Sequence, residues 1–121
     1  MTPEAHRFKA ERIERSIACL TDADWEIRIE AAMLAGTHWA NYVLHKTGVS
    51  EGSEDMVHAS MCLVCVLRKY TLAEPELIAQ LEEIEALRPC FVRGDMAGGP
   101  EAAKRALGLL SEMGARARNL T

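Results

Sequence analysis

The stretch "TDADWEIRIEAAMLAGTHWANYVLHKTG", residues 21–48, decides the fold. "TDAD" supplies an N-cap and first-turn acids, and Gly48 is a residue that ends helices. A helix from Asp24 to Lys46 is therefore expected. At about 100° per residue, Trp25, Ile29, Ala32, Gly36, Trp39 and Val43 share one face. Ile27, Ala31, Leu34, His38, Tyr42 and His45 form a second stripe, and charges are confined to the flanks between. A helix apolar on two sides must be covered on two sides. This one should be central, with bundle partners on one face and another helix or a second subunit on the other.

The rest of the chain reads as four more helices. The first covers Pro3 to Leu20, with Ile13, Ile17 and Leu20 on one side. After the polar loop "SEGSED", Ser53 is a plausible N-cap for a third, spanning Glu54 to Tyr70. That segment has no charge from Met56 to Leu67, so it is expected to be largely buried. The fourth starts at Pro75, turns Leu77, Leu81 and Ile84 inward, and stops at Pro89. The loop "PCFVRGDMAGG" leads to a fifth helix at Pro100, where Ala103, Ala106, Leu107, Leu110, Met113 and Ala117 share a face, and "ARARNLT" at the end should fray. No stretch alternates with period two long enough for a strand. Helices joined by short polar loops predict an antiparallel bundle, and residues 1–121 suit a single domain.

Composition agrees. Aromatics are only 5%, so the core must come from Leu, Ile, Val, Ala and Met. The net charge of −4 works against nucleic-acid binding through bulk charge. The balance is uneven, since residues 51–87 carry eight acids and two bases, and residues 88–121 carry six bases and three acids. The charged start "MTPEAHRFKAERIERS" gives no sign of a signal peptide, and the uncharged Met56–Leu67 stretch is too short to cross a bilayer. A cytoplasmic protein with reduced thiols and no membrane contact is the expectation.

Three constellations could carry chemistry. His58, Cys62 and Cys65 stand at i, i+4 and i+7, one edge of the expected third helix. Thiolate and imidazole suit zinc, but inside an apolar helix the cysteines read as core residues. No metal and no cofactor is expected, with these three as the low-ranked exception. His38 and His45 lie about 10 Å apart along their helix, a gap one ion cannot span without a third element between. With Tyr42 they read as partly buried polar groups, lining a pocket or an interface. Arg88 and Arg93 flank Phe91, an arrangement that can stack a base and hold a phosphate. The alternative for these bases is a solvated rim. A phosphate-cradling loop, a nucleophile signature and paired Glu-x-x-His motifs are all missing.

Residues 29–60, "IEAAMLAGTHWANYVLHKTGVSEGSEDMVHAS", resemble the HEPN-like helical bundles. A long helix rich in small residues ends in Leu-His-x-x-Gly, and after a loop the next helix opens with a histidine, here His58. "LEEIEALRPCFVRGD", residues 81–95, looks like the family's later helix, where an Arg and an aromatic precede a loop. The resemblance covers about half the chain. It implies an up-down bundle of four or five helices, often dimeric, with a link to nucleic acids or nucleotides and to toxin–antitoxin systems. Catalytic members carry an Arg four to six residues before a His. None of His6, His38, His45 and His58 has one, so no catalytic residue is carried over.

The expected function is thus a non-catalytic bundle that works through protein association, as a homodimer or with another protein. The first alternative is a divergent nucleotide- or RNA-acting enzyme using His45 and His58 as an acid/base pair. The second is a metal or thiol sensor using His58, Cys62 and Cys65.

Overall fold

Thr2 starts the first helix. Its side chain accepts from the Ala5 N–H at 3.2 Å, and Pro3 fills a first-turn position where a missing N–H costs nothing. In the computed structural model, which describes residues 1–120, the chain forms α1 (Pro3–Ile17), α2 (Trp25–Lys46), α3 (Val64–Ala73), α4 (Pro75–Arg88) and α5 (Gly99–Arg118). There is no strand among the described residues. The all-helical, five-helix expectation holds.

The long helix α2 packs against α1, α4 and α5. Its first face is core from Ile29 onward: Ile29, Ala32, Trp39 and Val43 are fully buried. Gly36 lets α5 close in, because a Cβ there would sit 3.3 Å from Met113 Sδ. Trp39 Nε1 donates to Glu14 of α1, and Arg118 of α5 lies 4.8 Å over the Trp39 ring, so one side chain ties three helices. The second stripe is covered by α1 at its C-terminal half only. Tyr42 is buried, whereas Ile27 and Leu34 are exposed.

The third helix differs from expectation. It starts at Val64 rather than Glu54, and residues 47–63 are non-helical apart from a short turn at Ala59–Met61. The reason lies in who satisfies the backbone. The Asn41 side chain receives the Met56 N–H at 2.8 Å and donates to the Met56 carbonyl at 2.7 Å. Glu85 of α4 receives the Ala59 N–H at 2.7 Å and the Ser60 N–H at 3.3 Å. Side chains of α2 and α4 thus hold the Met56 carbonyl and the Ala59 and Ser60 N–H groups, which a helix would have paired internally. The uncharged Met56–Leu67 stretch is correspondingly buried only at Met56 and Ala59, while Val57, Met61, Leu63 and Val64 are all exposed.

Smaller differences lie at helix ends. α1 closes at Ile17 and not Leu20. Pro89 does not stop α4 cleanly, since a wide π-turn carries the chain through Arg93. α5 stays helical through Arg118, so most of the tail expected to fray is ordered helix.

Candidate metal centre

The site forms where α1, α2 and the loop after α2 meet. The early start of α1 puts His6 in its first turns, and His6, Ala10 and Ile17 face inward. α2 brings His38 and His45 on its second stripe. Gly48 adopts φ 78° and turns the chain back under the helix end, where the Val49 and Ser50 N–H groups both donate to the Leu44 carbonyl, at 2.9 and 3.1 Å. This places Ser50 against His45. The Asn41 clamp on Met56 then sets its neighbour Asp55 over the histidines.

Asp55 Oδ1 lies 2.9 Å from His6 Nε2 and 2.8 Å from His45 Nε2. His6 Nδ1 lies 2.9 Å from His38 Nδ1, and His45 Nδ1 lies 2.7 Å from Ser50 Oγ. The His6 ring sits 5.2 Å, centre to centre, from both His38 and His45. His6 is thus the third element that spans the gap between the two α2 histidines. The second oxygen, Asp55 Oδ2, pairs with the Met1 amino group at 3.1 Å, and that group also donates to the Gly52 carbonyl. The His6 and His45 side chains are each 2% exposed, and Asp55 is 33% exposed, so the centre is closed on the protein side and open at the carboxylate.

Burial pushes the His6 imidazole down against the pull of Asp55. Burial also pushes His38 down, with His6 and Lys9 adding to it, to about 4. Burial works the other way on Asp55, but hydrogen bonds from His45, His6 and the Met1 amino group carry it down to about 2. At neutral pH the centre therefore holds an ionised carboxylate against neutral His6 and His38.

His6, His45 and Asp55 each offer a ligand atom within 4.8 Å of the other two, and Asp55 Oδ1 lies beside both Nε2 atoms. Ligand bonds of about 2.1 Å would set neighbouring donors roughly 3.0–3.4 Å apart, close to the spacing of the carboxylate oxygen from each nitrogen. Two imidazoles and one carboxylate are a donor set that suits zinc, manganese, cobalt or ferrous iron. Each ring's remaining nitrogen is also held by a polar partner, as ligating histidines require. The residues fit a divalent ion.

The residues anticipated from sequence are distributed elsewhere as well. His38 joins the centre as an outer partner. Tyr42 packs edge-on against Trp39, with ring centres 5.9 Å apart, and is a core residue. His58 faces Glu85 at 3.6 Å, so His45 and His58 sit on different carboxylates, Asp55 and Glu85. The expected His58–Cys62–Cys65 helical row does not form, because only Cys65 lies in α3, and the Cys62 thiol donates to the His58 carbonyl at 3.6 Å. Arg88 pairs with Glu30 at 2.7 Å. Arg93 lines an open cavity with His58, Glu82, Glu85 and Arg88.

His6, Ser50 and Asp55 were not among the anticipated site residues. The signal for His6 was its place in line with Ala10, Ile13 and Ile17 along one helix face. Ser50 and Asp55 lie in a loop, where periodicity carries no information. No family model, no curated protein and no solved structure matches this chain.

Proposed function

We propose that this chain is a helical bundle that binds one divalent transition-metal ion through His6 Nε2, His45 Nε2 and Asp55 Oδ1. The observation that carries this reading is the convergence of three donors from α1, α2 and the following loop within 4.8 Å. A buried polar cluster is expensive to maintain unless every member is satisfied. Here two histidines share one carboxylate oxygen, an arrangement that an ion between them would use fully. An ion with three protein ligands keeps open positions, and the exposed edge of Asp55 marks the side from which solvent reaches them. When bound, such an ion supplies Lewis-acid chemistry at that edge.

The test uses untagged protein stripped with chelator, then dialysed against zinc or cobalt and analysed for metal. About one equivalent should be retained by the wild type, as for a preformed site. His6→Ala and Asp55→Asn should each retain a small fraction of it. Wild-type protein that keeps only a trace of either ion overturns the reading.

A second reading, self-association, has its own support. α3 rests mainly on α4 and leaves Val64 and Leu72 more than two-thirds exposed, at 76% and 78%. A groove beside them is lined by Leu67, Arg68 and Glu82. α3 itself carries Arg68 and Lys69 and no acid, while the outer side of α4 carries Glu82. Two copies meeting across this face would bury the apolar row and pair opposite charges. We place the homodimer contact there, rather than on the His38–Tyr42–His45 stripe, which α1 covers. The finer HEPN-like arrangement, an antiparallel up-down bundle in one domain without nuclease chemistry, belongs to this same proposal. The order of contacts supports it, with a long α2 meeting α1, α4 and α5.

A further inference from the structure

The two histidines facing Asp55 have their other ring nitrogens already engaged, His6 Nδ1 by His38 Nδ1 at 2.9 Å and His45 Nδ1 by Ser50 Oγ at 2.7 Å. Both partners can work in either direction. A neutral imidazole nitrogen donates or accepts according to tautomer, and a hydroxyl does both.

Two complete proton arrangements follow. In the first, a carboxylate can only accept, so His6 and His45 both carry their proton on Nε2 and donate to Asp55 Oδ1. His6 Nδ1 then accepts from His38 Nδ1–H, and His45 Nδ1 accepts from the Ser50 hydroxyl. In the second, His6 and His45 carry their protons on Nδ1, donate to His38 Nδ1 and Ser50 Oγ, and turn both Nε2 lone pairs toward Asp55 Oδ1. The number of protons is the same in both. His6 and His45 each move one from Nε2 to Nδ1, His38 moves one from Nδ1 to Nε2, and the Ser50 hydroxyl rotates. His38 Nε2 has no hydrogen-bond partner among the described residues and is not sealed from solvent, so it accommodates either form.

We propose that His38 and Ser50 are positioning residues for the ion, holding His6 and His45 through hydrogen bonds that reverse direction when the ion binds. The inference rests on the metal reading above. It adds that the outer pair lets two Nε2–H donors become two Nε2 ligands without losing either outer bond. Outer partners of this kind set ring orientation and donor strength.

Long-range proton–nitrogen NMR on nitrogen-15-labelled protein reads each tautomer directly. In chelator, His6 and His45 should appear as Nε2–H and His38 as Nδ1–H. With one equivalent of zinc, His6 and His45 should become Nδ1–H and His38 Nε2–H. Zinc bound one-to-one with these tautomers unchanged overturns the proposal and leaves the metal reading standing. Failure to retain zinc takes down the metal reading, and this proposal with it. Zinc affinity supplies the second arm. His38→Leu and Ser50→Ala should each weaken binding about 10- to 100-fold. His38→Asn should recover most of the loss, since its amide both donates and accepts near the Nδ1 position. Wild-type affinity in folded His38→Leu and Ser50→Ala would also overturn the proposal.

Discussion

Asp55 collects two imidazole N–H groups on one oxygen and an ammonium on the other. That concentration of donors explains why its carboxyl sits near 2 despite partial burial. His38 shows the opposite balance, since it gains no carboxylate of its own and burial holds it near 4. Both shifts are downward, and both make stability depend on acid in the same direction. Between the unfolded histidine value near 6.5 and the folded value near 4, the unfolded chain binds more protons, so stability falls as pH drops through that window. His6, also pushed down, adds to the loss. Asp55 contributes stability that is present above its unfolded value of about 3.9 and is lost as pH falls toward 2. In chelator, the thermal midpoint should therefore decline steadily from pH 7 to pH 4, with a further decline below. A midpoint that is flat from pH 7 to pH 4 would show that His38 and His6 are not held neutral by the fold. His38→Asn, which cannot be charged, should flatten part of the slope.

At the level of elements, the decisive joint is between α2 and the loop that follows it. Asn41 is not a candidate ligand, yet it grips both polar backbone groups of Met56, next to Asp55. Asn41→Ala leaves a buried N–H and a buried carbonyl without partners, at a cost of about 1–3 kcal/mol each. Chemical denaturation should show a loss in that range or somewhat above it, and zinc retention should drop with it. A variant as stable as wild type would mean that water replaces the clamp. This joint also marks what periodicity could read. The inner face of α2 was legible because Ile29, Ala32, Gly36, Trp39 and Val43 recur at helical spacing. The start of α3 was not, because an uncharged run such as Met56–Leu67 has the same composition whether it coils or extends. Asn41 and Glu85 decide it, by supplying hydrogen bonds from helices distant in sequence. His6 was missed for a related reason. It lies among charged residues in the first turns of α1, and only its alignment with Ala10 and Ile17 marks it as inward.

For the whole molecule, α3 is the element least used by the rest. Its main neighbouring helix is α4, and much of its apolar surface meets solvent. If two copies bury that face, sedimentation equilibrium of wild-type protein should fit a monomer–dimer system. Leu72→Glu should raise the dissociation constant by about tenfold or more, as for loss of a central apolar contact, and leave zinc retention intact. A monomer at all concentrations would remove this surface from consideration without touching the metal centre. No helix among the described residues is long and apolar enough to cross a membrane.

The sequence by itself determined that the chain is helical, that α2 is central, and which of its faces meets the core. Those properties follow from residue propensity and helical periodicity, which act over one or two turns. The meeting of His6, His38, His45 and Asp55 was decided only by the tertiary structure. Their separations along the chain run from 7 to 49 residues, far beyond any local repeat. What joins them is the packing of α1 on α2 and the return of a loop whose backbone is held by Asn41. The question of whether His38 and His45 could share a partner across two turns thus has a physical answer: His6, from another helix, stands between them.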